Sequence, residues 1–178
     1  MAKTDPAIID KLTTARVGLL LKAPFFGNMA TRMQLIDASE WCPTAATNGR
    51  NFYYNVDFVK KLSVKKLEFL FGHEICHCVF DHFGRVGSRD RQLSNIAQDF
   101  AVNQILVDER IGEKITEVKI CYDQKYRGMA WEATGRASWL RASGRWKAAV
   151  RHSLSPAWRE SMSPGHPPPG STAAQGRG

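Results

Sequence analysis

Residues 71–77, Phe-Gly-His-Glu-Ile-Cys-His, constrain this chain more than any other stretch. The pattern is H-E-x-x-H, set in a segment with helical periodicity. On a helix, residues four apart share one face, one turn above the other. His73 and His77 can therefore aim imidazole nitrogens at one metal ion, with Glu74 beside them to take a proton from a water that the metal acidifies. With five His and eight Glu in 178 residues, chance yields about 0.006 such matches. Between residues 67 and 80 the ionisable groups are Glu68, His73, Glu74 and His77, apart from the thiols of Cys76 and Cys78. Leu67, Phe69, Leu70, Phe71, Ile75, Val79 and Phe80 make the rest apolar. A helix apolar on nearly every side is a buried one. Buried imidazoles and carboxylates need partners, and a shared metal supplies one. The plain alternative is a core helix with two hydrogen-bonded histidines and a solvated Glu.

A catalytic zinc site takes three protein ligands and keeps one position open. His82 lies five residues beyond His77, about 140° around a continuous helix, and is expected to face away. It also falls one residue short of the extended H-E-x-x-H-x-x-G-x-x-H pattern, whose glycine position is Phe80 here. Asp99 is the stronger candidate, because it is the only charge between residues 95 and 107. Asn95, Asp99 and Asn103 recur at i, i+4, i+8 on an otherwise apolar helix. A loop of about seven residues lets that helix double back on the first. A lone carboxylate on an apolar face demands a cation or donors, and a backbone or Arg partner would also serve. Asn95 and Asn103 either orient ligands from behind or join the two helices by hydrogen bonds.

Around these two helices the pattern is mixed. Residues 6–22 read as an amphipathic first helix started by Asp5-Pro6, and residues 23–27, with Pro24 and Gly27, read as its break. Residues 31–38 and 51–55 read as strands, the second preceded by the Asn48-Gly49 hairpin signal. Residues 57–61 suit a helical turn. Ser63 caps a motif helix expected to reach about Phe83 and stop at Gly84. Residues 85–91 form a loop, 92–108 the Asp99 helix, and Ile115, Val118 and Ile120 allow a short strand. The implied class is α+β, helix-rich with a small antiparallel sheet.

The length suits one domain with a proper core. From residue 133 the composition shifts to Ala, Ser, Gly and Pro, with one Val, two Leu and no Ile, Phe or Tyr. Such a tail buries too little apolar surface to offset its ordering entropy, so 1–132 is read as the domain. Residues 133–178 are read as a basic, disordered or aberrant tail, with one possible helix at 137–151 around its tryptophans. A truncated or frameshifted reading of the gene would explain the abrupt change. Six Arg and one Lys against Glu160 place +6 of the net +8 in that tail. The body therefore offers no strong case for a nucleic-acid partner. Cys42, Cys76, Cys78 and Cys121 form no C-x-x-C pair and are read as reduced core thiols. The start lacks a signal-peptide pattern and the longest aliphatic run near it ends at Lys22, so a cytoplasmic location and no membrane contact are expected.

The chain resembles the putative metallopeptidase domain that precedes a von Willebrand factor A-like domain in bacterial and phage proteins. The residues that carry the resemblance are Pro24-Phe25-Phe26-Gly27, Ala46-Thr47-Asn48-Gly49-Arg50, Tyr53-Tyr54-Asn55, the 73–77 motif with Asp81-His82 and Arg85, Asn95-Ile96-Ala97-Gln98-Asp99 with Asn103, and Tyr126-Arg127-Gly128-Met129. The likeness spans about residues 8–132. It implies a zincin-like fold, Zn2+ held by His73, His77 and Asp99, and Glu74 as catalytic base. The layout is similar to gluzincins, with Asp in place of the acidic Glu ligand. It further implies a von Willebrand factor A-like or AAA-type ATPase partner, while the expected peptide or protein substrate follows from the peptidase reading and is not inherited from the family. Tyr53, Tyr54, Tyr126 and Arg85 are candidates for stabilising an oxyanion, none preferred. Two other readings stand beside the peptidase: a non-catalytic metal-binding scaffold, and a nucleic-acid accessory protein acting through the basic tail.

Overall fold

The structure is a computed structural model and describes residues 5–132. The possible 137–151 helix and the expected character of the tail lie outside those residues. Helix α1 (Pro6–Lys22) starts where expected, with the Asp5 carboxylate accepting from the Ala7 N–H. Ile8, Leu12, Ala15 and Leu19 recur on one buried stripe. Where a break was expected, Pro24 instead opens a second helix, α2 (Pro24–Arg32). Proline is tolerated at a first helical position because its missing N–H would have had no partner there. The α1 and α2 backbones then cross closely. A Cβ built on Gly27 would fall inside the van der Waals envelope of the Leu20 backbone.

Three short strands follow, β1 (Gln34–Asp37), β2 (Ala45–Thr47) and β3 (Asn51–Tyr54). They form one sheet in the order β1-β3-β2. The Asn48-Gly49 signal is correct: Gly49 has φ 86° and the Asn48 side chain accepts from the Arg50 and Asn51 N–H groups. The sheet is mixed, not antiparallel as expected. β2 pairs antiparallel with β3, whereas β1 pairs parallel with it. After β1 the chain crosses to the far edge before building the hairpin, so β3 returns between its neighbours in the direction of β1.

Helix α3 (Val56–Lys61) is capped by Asn55, and the long helix α4 (Val64–Val79) by Ser63, whose hydroxyl accepts from the Lys66 N–H. The core lies between α1, α2, the inner face of the sheet and α4. Phe71 stacks on Phe52 with centroids 4.2 Å apart. Helix α6 (Arg91–Asp108) doubles back along the other side of α4. The two approach closely at Gly72, where an added Cβ would lie 2.9 Å from Leu106 and 3.1 Å from Ile111. The strand suggested by Ile115, Val118 and Ile120 does not form. That segment is irregular and ends in one 3-10 turn (Gln124–Tyr126). Among the described residues no helix is long and apolar enough to cross a membrane.

Because Gly27 faces backbone, which cannot swing aside, Gly27→Ala is expected to lower unfolding free energy by about 1–3 kcal/mol. Urea denaturation followed by circular dichroism reads the effect, and an unchanged midpoint would contradict the crossing.

Candidate metal centre

The centre lies where α4 and α6 face each other. His73 and His77 stand one turn apart on α4, as the spacing requires, and Asp99 reaches them from α6. His77 Nε2 is 3.1 Å from His73 Nε2 and 3.2 Å from Asp99 Oδ1, and His73 Nε2 is 3.6 Å from the same oxygen. Ligand bonds of about 2.0–2.1 Å in a tetrahedral zinc site put the ligand atoms roughly 3.3 Å apart. The three edges found here bracket that spacing, so His73, His77 and Asp99 can hold a metal ion.

The donor chemistry agrees with the spacing. Asn103, also on α6, donates its amide to the Cys121 carbonyl at 3.0 Å, which leaves its oxygen facing His73 Nδ1 at 2.9 Å. An amide oxygen only accepts, so His73 carries its proton on Nδ1. Its Nε2 lone pair then points at Asp99 and His77. Burial, and then the neighbouring His77, lower His73 to about 4, and burial lowers His77 to about 4. Both rings are thus neutral at pH 7, the form in which imidazole binds metals. Burial raises Asp99 from 3.8 to about 6, against a small opposing pull from His73. The two Nε2 atoms and the Asp99 oxygen are thus gathered within 3.6 Å of one another, and a divalent ion is a partner that all three can share.

Glu74 is buried beside this group. Burial first, and then the Asp99 charge, raise its acid to about 8. The Asn103 contact with His73 joins α6 to α4. Asn95, one turn before Asp99 on α6, makes no hydrogen bond to the three among the described residues. The oxyanion candidates are spread out. Tyr54 is buried in the core, the Tyr53 hydroxyl accepts from Asn48 and Asn51, Tyr126 lies against Phe100, and Arg85 is paired with Glu132.

His82 departs most from expectation. Helix α4 ends at Val79 rather than Phe83, and Asp81 takes the left-handed conformation (φ 50°). Its side chain caps a short helix, α5 (His82–Arg85), by accepting from the Gly84 N–H. Asp tolerates left-handed φ better than most residues, and that is the one signal in the sequence that could have revealed the turn. The reversal swings His82 back, so that its Nδ1 lies 3.1 Å from His77 Nδ1. It is 2% exposed.

Residues 8–134 match a family model described as "Putative metallopeptidase domain". The chain belongs to that family. No curated protein and no solved structure matches it. The family's description implies a metal, and among the described residues His73, His77 and Asp99 are a group that could hold one.

The shifts have opposite consequences for the metal-free domain. Glu74 and Asp99 ionise later in the fold than in the unfolded chain, so they remove stability as pH rises from 4.5 to about 8 and from 3.8 to about 6 respectively. His73 and His77 remove it as pH falls from 6.5 towards about 4. Metal-free Glu74→Gln is therefore expected to gain stability relative to the parent as pH rises through that 4.5 to 8 window. Chemical denaturation in chelator at several pH values measures the gap, and a constant gap would show that Glu74 is not buried as described.

Proposed function

We propose that this chain is a zinc-dependent peptidase in which His73, His77 and Asp99 hold the ion and Glu74 is the general base. The open side of the cluster carries the reading. Among the described residues no fourth His, Cys, Asp or Glu joins the three, and His73 and Asp99 keep 18% and 23% of their side-chain surface exposed. Structural zinc sites are closed by four protein ligands, whereas catalytic ones leave a position for water. Two imidazoles from an H-E-x-x-H helix and one carboxylate are a ligand set that catalytic zinc takes.

Zinc bound there would supply a Lewis acid that acidifies water and polarises a carbonyl. The chain's own part falls first to Glu74. As the carboxylate next to His73 on the same helix, it can take the proton of an attacking water and return it to the departing amine once a bound cation favours its ionised form. Its buried surroundings keep bulk water from competing for that proton. Strand β2 is suited to hold substrate. It lies at the sheet edge opposite β1, against α4, with Thr47 Oγ1 3.9 Å from the Cys78 thiol one turn after Glu74. A peptide could add to that edge by main-chain hydrogen bonds and pass over the centre.

The test separates chemistry from metal binding. Glu74→Gln is expected to lower kcat/KM on a fluorescent peptide library by about 10²–10⁴ while keeping the parent's zinc content. His77→Ala and Asp99→Ala are expected to lose the zinc itself, read by elemental analysis. A zinc-loaded parent that cleaves no peptide, with Glu74→Gln indistinguishable from it, would favour the scaffold role.

A further inference from the structure

The ligand reading leaves one proton to place. An ion at the centre takes the Nε2 lone pairs of both histidines, so the proton of neutral His77 must sit on Nδ1. Among the described residues, the group within hydrogen-bond reach of that nitrogen is His82 Nδ1, at 3.1 Å. We propose that His82 is a positioning residue of the centre, accepting the Nδ1 proton of His77 and so holding that ring with Nε2 turned to the metal. The inference rests on His77 being a ligand.

The surroundings of His82 are built for such a task. Its backbone carbonyl accepts from the Gln98 side chain at 3.2 Å, and Gln98 immediately precedes Asp99 on α6. The turn that carries His82 is thus tied to the helix that carries the acidic ligand. Its ring stands edge-on to Trp131, at 70° with centroids 6.1 Å apart, and lies 5.7 Å from the Phe80 ring. The left-handed Asp81 aims it back at α4. Each ligand histidine thereby has its own anchor, Asn103 for His73 and His82 for His77. Ligating histidines generally donate their second N–H to such a partner, which fixes both tautomer and ring orientation. The usual partner is a carboxylate or a carbonyl; here it is a second, neutral imidazole.

Three variants of the full chain test this: His82→Asn, whose amide oxygen can reach the place of Nδ1; His82→Gln, whose oxygen falls nearer the place of Nε2; and His82→Leu. Zinc affinity is measured for each by competition with a chromophoric chelator, and the cobalt-loaded absorption spectrum reports coordination. His82→Asn is expected to stay within about threefold of the parent, and His82→Gln and His82→Leu to bind about 10–100-fold more weakly with an altered cobalt spectrum. Should His82→Leu fail to fold, the two amides, one methylene apart, decide the matter. Equal affinity for the two amides, weak or strong, would overturn the proposal, since it would leave packing alone to explain His82. His77→Ala is the control for the underlying reading. If it binds zinc like the parent, the metal site itself is wrong and the role of His82 falls with it. If it loses zinc while His82→Gln and His82→Leu bind like the parent, only the role of His82 is refuted.

Discussion

One carboxylate buried against two neutral imidazoles governs the functional half of this molecule. Each group alone would be tolerable at a surface. Brought together between two largely apolar helices, their ring nitrogens and carboxylate oxygen lie within 3.1–3.6 Å of one another, and water cannot fully solvate any of them. The shifts of Asp99 and Glu74 towards the neutral acid express that penalty, as do the low values of His73 and His77. A divalent cation answers all of these at once. Gly72 suits the close approach of the two helices: a side chain there would crowd the Leu106 and Ile111 side chains, Leu106 lying one turn along from Asn103.

The parts of the fold legible in the sequence were those fixed by local chemistry. Asp5-Pro6, Ser63 and Asn48-Gly49 each satisfy or free particular backbone groups, and the helix starts and hairpin fell where those residues put them. Asp99 was legible because a single charge in an apolar helix needs a reason to be there. The features that escaped depend on distant partners or on a proline read with the wrong sign. Pro24 can end a helix or begin one, and only the close crossing at Gly27 decides for α2. The parallel pairing of β1 with β3 is set by the route of the chain across the sheet, to which no single residue testifies. Ile115 buries itself in the core without finding a strand to pair with.

His82 shows how a spacing argument fails in detail. Its angular position was derived for an unbroken helix, and no glycine or proline between residues 78 and 83 warned against that. One left-handed residue, Asp81, cancels the argument by reversing the chain. The resemblance to the family carried Asp81 and His82 as matching residues, yet assigned neither a task. Geometry supplies one by placing two Nδ1 atoms at hydrogen-bonding distance.

The two faces of α4 divide the labour of the domain. One face packs Leu67, Leu70, Phe71 and Ile75 into a core shared with α1, α2 and the sheet, so α4 is held in place by apolar burial whether or not a metal is present. Helix α6 contributes only Val102 and Leu106 to the fully buried part of that core. Polar groups add two links to α4, Asn103 to His73 and Asp99 to the imidazoles, and one to α5, Gln98 to the His82 carbonyl. Metal binding should therefore act mainly on α6 and α5, drawing them against a fixed α4, while the sheet and first two helices stay as they are. That asymmetry suits a hydrolytic centre. In the proposed peptidase, Glu74 would be set in place by the packing of α4, and Asp99 would come from the helix that an ion would help to secure.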